Sequence, residues 1–329
     1  MKMTMQITII GLGQIGSSVG LALGEYKTSL KRVGHDKKIE VERAAQSKGA
    51  VDEIKHNLPA AVREARLVVL CLPVSQVRDT LQVIAPELPT GAIVLDTSPS
   101  KQTVAAWARE ILPPGRYYVG LTPAINPEAL HEIQFGVEAA RPDLFHKSVI
   151  LIDAPAGTPG EVVTLAMDWV RLLGAQPVLT DTLEADGLTA SMHLVPQLLA
   201  AALLNATVDQ PGWQEARRIA GRPFAAVTAG LAYQDEIDSL RLAVLQNRQN
   251  VVHMLDVVLA ALRGLRDDIE SGNDDELATR LELALEGRNR WMRERLDARW
   301  EEKPQPPADI PSFAERFFGN AFVRRPRER

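Results

Sequence analysis

The chain holds 329 residues, about twice the size of an ordinary domain, so two folded units are expected. Its 37 Lys+Arg against 42 Asp+Glu leave a net charge of −5, too small an excess to mark a nucleic-acid binder, while 46% hydrophobic residues exclude a disordered chain. The single cysteine, Cys71, excludes an intrachain disulfide and a cysteine-rich zinc site.

The first half alternates short β-branched runs with helical patterns, and residues 7–10, 31–34, 67–72, 93–96, 117–120, 149–152 and 177–179 are predicted strands. Runs such as Val68-Val69-Leu70 and Ile93-Val94-Leu95 are apolar throughout rather than alternating, which fits central parallel strands covered on both faces. The predicted fold class is therefore α/β, a Rossmann-type doubly wound sheet at the N-terminus. Beyond Asp181 the strand signals stop, and helices are predicted over 183–208, 214–220, 223–232, 236–266 and 274–299, an all-α unit. The expected division is a dinucleotide-binding unit over 1–181, a helical substrate and dimerisation unit over 182–300, and a linker and tail over 301–329. In 236–266 the apolar residues recur every three or four positions, and a stripe that long is expected to bury against a second subunit, making a homodimer. The tail carries Phe313, Phe317, Phe318 and Phe322 on one helical face and is expected to dock on the helical unit or the partner.

No targeting signal is read at the N-terminus, because Ile7-Thr8-Ile9-Ile10 runs straight into Gly11-Leu12-Gly13. The longest apolar stretch, 194–208, carries Pro196, Gln197 and Asn205 and falls short of the roughly 20 residues of a membrane span. A cytoplasmic enzyme without a membrane segment is expected.

Gly11-Leu12-Gly13-Gln14-Ile15-Gly16 is a Gly-x-Gly-x-x-Gly fingerprint placed between a predicted strand and a predicted helix. Gly11 allows the tight turn, Gly13 lets backbone approach a pyrophosphate, and Gly16 lets helix and strand pack closely. Asp36, twenty residues past Gly16, is placed to accept the ribose hydroxyls of NAD, while Lys37 and Lys38 leave NADP open. His35, His56, His131, His146 and His253 have no paired spacing, so no metal site is expected.

The order of segments resembles the prephenate and arogenate dehydrogenase family of tyrosine biosynthesis from Thr8 to about Arg299. The stretch 67–74, with Leu72 and Pro73, looks like its cofactor-facing strand end. Asp96-Thr97-Ser98-Pro99-Ser100-Lys101 looks like its Asp-x-Gly-Ser-x-Lys turn. Gly120-Leu121-Thr122-Pro123 is similar to its Gly-x-His-Pro turn, the stretch 191–205 to its Ser-His-Leu-Pro-His helix, and 212–220 to the segment closing its substrate pocket. The resemblance implies an NAD(P)-dependent oxidoreductase that decarboxylates a small carboxylate substrate as hydride leaves it.

The same alignment shows substitutions at the reacting positions. Thr122 stands at the family's histidine base, forgoing a contribution of roughly 10²–10⁴-fold. Pro99 replaces its serine, with Ser98 and Ser100 flanking. Leu194 and Gln197 fall at two helix histidines with His193 one position early, and Gln214 replaces an arginine that would clamp a carboxylate, with Arg217 and Arg218 nearby. Thr122, His193, Ser98, Gln197 and Gln214 are therefore the candidate catalytic residues, with His193 the candidate base. Lys101 reads equally as a substrate contact or a surface lysine, and Asp181, Glu184 and Asp186 read as helix-entry acids. A dehydrogenase of another β-hydroxyacid-type carboxylate, or a cofactor-binding protein of little turnover, are the alternatives.

Overall fold

A computed structural model describes residues 5–132, 134–231, 237–298 and 300. The Phe-rich tail and its linker lie outside the described residues. In chain order the elements are β1 (Met5–Ile10), α1 (Gln14–Ala22), β2 (Leu30–His35), α2 (Ile39–Ser47), β3 (Glu53–Ile54), α3 (Leu58–Val62), β4 (Ala65–Leu70), α4 (Val74–Ile84), β5 (Ile93–Asp96) and α5 (Lys101–Ile111). They continue with β6 (Tyr117–Pro123), β7 (Val149–Asp153), α6 (Gly160–Leu172) and β8 (Gln176–Thr180). The helical part follows as α7 (Thr182–Thr189), α8 (Val195–Thr207), α9 (Trp213–Ile219), α10 (Arg222–Thr228), α11 (Ile237–Gln246), α12 (Arg248–Ser271) and α13 (Asp274–Asp297).

The strands form one sheet in the order β3-β2-β1-β4-β5-β6-β7-β8, with order reversing at β1 and β4 as in a doubly wound fold. Alternate residues of each central strand feed opposite faces. Ile7, Ile9, Leu67, Val69 and Leu95 enter one core cluster, and Ile10, Val68, Leu70 and Val94 the other, which is why apolar residues follow one another through these strands.

Two strand expectations change. β3 was not foreseen, because two residues are too few to carry a periodic signal. The β6–β7 pair is antiparallel, so the sheet is mixed rather than wholly parallel.

The helix expected over 236–266 is two helices, α11 and α12, broken at Asn247. Asn247 is buried, and its side-chain amide donates to the Asp186 carbonyl at 2.7 Å, tying the break to α7. Between α7 and α8 the chain makes a π-helical turn at Ala190–Leu194. Within the continuous run Thr182–Thr207 an 18-residue stretch has a mean hydropathy of 1.4, so the run is, by length and composition alone, apolar enough to cross a membrane, where the expectation took 194–208 alone. Its inner face, including Ala185, Ala190, Leu194, Val195 and Ala200, is buried in this fold, and α7 packs on α5 and β7.

Candidate functional site

The turn from β1 into α1 holds the glycine motif. Gly11 has φ +90°, and a Cβ there would overlap the Cys71 carbonyl and touch Leu72 at 3.0 Å. A Cβ on Gly16 would overlap the Gly11 carbonyl. Packing within the chain therefore demands both glycines. Gly13 is different: its backbone is extended (φ −68°, ψ −160°), and a Cβ there would meet nothing within 4 Å. The bare α-carbon at the start of α1 leaves a cradle that a side chain would fill and a pyrophosphate fits.

Asp36 follows β2 and closes this cradle. Its carboxylate accepts the Leu12 amide at 2.8 Å and the Lys38 amide at 2.9 Å, while its own amide donates to Glu42 at 3.0 Å. Each carboxylate oxygen keeps a lone pair for a ribose hydroxyl. Gln14 donates to the Ala139 carbonyl at 3.4 Å, Ile15 packs against the core, and Pro73 precedes α4 beside half-buried Leu72. Burial pushes the Cys71 thiol up to about 12, so it is inert at neutral pH.

A second polar cluster lies at the carboxyl end of β5. The sheet register places Asp96, Gly120 and Asp153 side by side across β5, β6 and β7. A Cβ on Gly120 would crowd Lys101 Cδ at 2.9 Å, Asp153 Oδ2 at 3.2 Å and the Tyr118 hydroxyl at 3.3 Å. Lys101 is fully buried, and its ammonium donates to the Asp96 carbonyl at 2.9 Å and pairs with Oδ2 at 3.4 Å. This corrects the surface reading of that lysine.

Asp186 does not open its own helix either. Asp181 caps α7, accepting the amides of Leu183 and Glu184, whereas Asp186 reaches across and accepts the Lys101 and Gln102 amides at 2.7 and 3.1 Å, capping α5. Glu184 accepts from the Thr180 hydroxyl at 2.7 Å. Ser98 donates its hydroxyl to Asp96 Oδ2 at 2.7 Å, joining the Tyr118 hydroxyl at 3.3 Å.

Three acids thus share one lysine in a buried space. Burial holds Lys101 below the usual ammonium range, and burial, reinforced by the neighbouring Asp186 and Asp181, raises Asp153 to about 6 against the pull of Lys101. Asp186 is also raised, again chiefly by burial. The buried oxygens Asp153 Oδ2, Thr122 Oγ1 and Ser100 Oγ have no hydrogen-bond partner among the described residues. Thr122 shares a sheet face with Gly120, two residues further toward the strand's carboxyl end, and its hydroxyl is buried.

In the helical part, His193 lies in the π-helical turn, whose neighbours Ala190, Leu194 and Val195 belong to the same core cluster as Val74 and Val77 of α4. The ring is exposed by area, yet the apolar surroundings disfavour imidazolium and hold its pKa below the usual value. Gln197 shares the face foreseen for it, but its amide donates to the His193 carbonyl at 2.7 Å. Gln214 is exposed on α9, a helix with no buried residue, and is not brought against the other candidates by any described hydrogen bond.

Sequence spacing missed Asp153, Tyr118 and the role of Asp186, which topology alone brings together. It also missed a cluster beside the cofactor turn. His35 and His56 converge on Glu42, with Nδ1 to carboxylate distances of 3.6 and 3.1 Å, although their spacing in the chain shows no pairing. A cavity of about 810 Å³ opens between α5, the start of β6 and residues 155–158, with Arg109 and Arg116 on its wall, and none of the sequence-assigned site residues lines it.

Residues 19–179, which take in most of the sheet but begin just after the glycine turn, match the family model described as prephenate dehydrogenase, nucleotide-binding domain. That match spans just under half of the chain and makes its nucleotide-binding part similar to that of prephenate dehydrogenases. Among curated proteins it is similar to a cyclohexadienyl dehydrogenase of Zymomonas mobilis, 27% identical over 82% of this chain and 90% of that protein. It is 24% identical to a prephenate dehydrogenase of Bacillus subtilis over 82% of this chain and 72% of that one. The fold matches the crystal structure of a prephenate dehydrogenase from A. aeolicus, in complex with hydroxyphenyl propionate and NAD+. That match has a TM-score of 0.76 at 20% identity and covers 88% of this chain and 98% of the other.

Proposed function

We propose that this protein is an NAD-dependent dehydrogenase that oxidatively decarboxylates a prephenate- or arogenate-type substrate. The observation that carries the cofactor assignment is the Gly13 cradle closed by Asp36, an empty space bounded by a carboxylate that accepts ribose hydroxyls and repels a 2′-phosphate. Lys37 and Lys38 beside it are the features that would serve NADP instead. When bound, the nicotinamide accepts hydride from the substrate. The chain's own residues then have to hold the substrate and remove its hydroxyl proton.

His193 is suited to the proton, because a ring whose protonated form is disfavoured is free to accept one at neutral pH. Thr122 and Ser98 offer hydroxyls at the ends of β6 and β5, and Gln197 and Gln214 offer uncharged amides. We assign nucleotide binding to 1–181 and substrate binding and dimerisation to 182–300. Val252, Leu259, Leu262, Leu281 and Leu285 are exposed on α12 and α13, and a second copy of the chain is the partner assigned to that face. Its mass in solution tests the dimer. A cytoplasmic location fits an enzyme that draws on NAD and needs no disulfide.

The test is the appearance of reduced cofactor when pure protein is given NAD+ with prephenate, and separately with arogenate. Turnover of either supports the proposal. Tight NADH binding without turnover of either would move the assignment to a different small carboxylate. That second reading is favoured by Thr122 and Gln214 standing where the family has a histidine and an arginine.

A further inference from the structure

β2 ends at His35, the first turn of α2 contributes Glu42, and His56 follows β3, so three elements deliver three ligand-type side chains to one point. One ligand atom from each lies within 4.8 Å of the other two. Glu42 has no exposed surface, and a buried carboxylate is costly without compensating charge. Its protein partners are the Asp36 amide at 3.0 Å and His56 Nδ1 at 3.1 Å, with His35 Nδ1 at 3.6 Å.

The two imidazoles have centroids 5.9 Å apart at an interplanar angle of 40°. Two histidines on one tetrahedral zinc ion place their ring centres about 5 Å apart, given metal–nitrogen distances of about 2.0–2.1 Å. The observed centroid separation is within about an ångström of that value, and the ligand atoms would draw together around an ion. The His35 ring is mostly buried, and its Nδ1 donates to the Lys55 carbonyl at 3.1 Å, an outer support that orients the ring and leaves Nε2 as the nitrogen it offers an ion. The His56 side chain is 56% exposed, which gives an ion a way in and leaves a coordination position for water.

We propose that His35, Glu42 and His56 bind one divalent transition-metal ion of the zinc class, with water completing a tetrahedron. Two imidazoles and one carboxylate are a donor set that suits zinc and disfavours the oxygen-seeking magnesium and calcium ions. The ion supplies the positive charge that buried Glu42 lacks, while the other carboxylate oxygen keeps the Asp36 amide. The site is separate from the candidate substrate residues, and its occupancy can be measured with no cofactor or substrate present.

The experiment titrates metal-free, full-length protein with Zn2+ against a chromophoric chelator, for the wild type, His56→Ala, Glu42→Gln and His253→Ala. One equivalent per chain is expected in the wild type, weakened at least tenfold in His56→Ala and Glu42→Gln and unchanged in His253→Ala, which removes a histidine of a different helix. If the variant of buried Glu42 misfolds, exposed His56 decides the question, with its fold verified by circular dichroism. No stoichiometric binding in the wild type, or equal binding in wild type and His56→Ala, overturns the proposal and leaves the cluster a hydrogen-bonded one.

Discussion

Replacing Asp153 with asparagine should stabilise the protein at alkaline pH and not at acid pH. Asp153 is 3% exposed, its Oδ2 has no hydrogen-bond partner among the described residues, and its pKa rises from the ordinary 3.8 to about 6. The folded chain therefore binds this proton more tightly than the unfolded chain. The favourable contribution is complete below pH 3.8 and is lost as pH rises through about 6. The gap between the two values corresponds to at most about 3 kcal/mol.

Asparagine keeps the shape and never ionises, and Lys101 retains Asp96 as its direct partner at 3.4 Å. At pH 8 the variant should melt up to about 5 °C above the wild type, taking the usual unfolding entropy for a chain of this length. At pH 4 the two should coincide. Thermal scans followed by circular dichroism across pH 4–8 read the difference directly. A variant less stable at pH 8, or one whose gain is the same at both ends, would refute the view that Asp153 is an ionised acid held against its preference.

Three further outcomes concern the cofactor and the proton. Gly13→Val should fold with an unchanged melting temperature and lose NADH binding measured by fluorescence, whereas Gly16→Ala should lower the melting temperature because its Cβ meets the Gly11 carbonyl. Equal effects at both positions would contradict the open cradle. Asp36→Ala should weaken NAD much more than NADP in competition binding, since the carboxylate serves only the unphosphorylated ribose; equal losses would remove Asp36 from ribose recognition. His193→Gln should lower turnover and abolish a limb of the pH–rate profile that rises through a pKa below 6.5, the ordinary histidine value. A profile unchanged in shape would return His193 to a packing role.

The cofactor half of the site was legible in the amino-acid order because its parts are local. A strand, a tight turn and a helix follow one another within the eighteen residues Met5–Ala22, and Asp36 sits at the next strand end, so spacing alone encodes the geometry. The doubly wound sheet was legible for a related reason: strands buried on both faces need an apolar residue at every position, and Val68-Val69-Leu70 and Ile93-Val94-Leu95 comply.

What the order of residues did not contain was which distant side chains would share a buried space. Lys101 and Asp186 both look like surface residues at helix starts. They become a buried cation and the cap of a foreign helix only because α7 packs on α5. The same holds for Asp153, which faces Gly120 through an antiparallel pairing that no local pattern announces, and for Asn247, whose buried amide splits what reads as one long helix. His35 and His56 are twenty-one positions apart and meet over Glu42 because β2 and β3 are neighbours in the sheet. Hydrophobic periodicity records how much of each segment is buried, and the chain's own turn chemistry records where it bends. The charge balance inside a core depends on contacts between segments remote in sequence, and only the folded arrangement decides it.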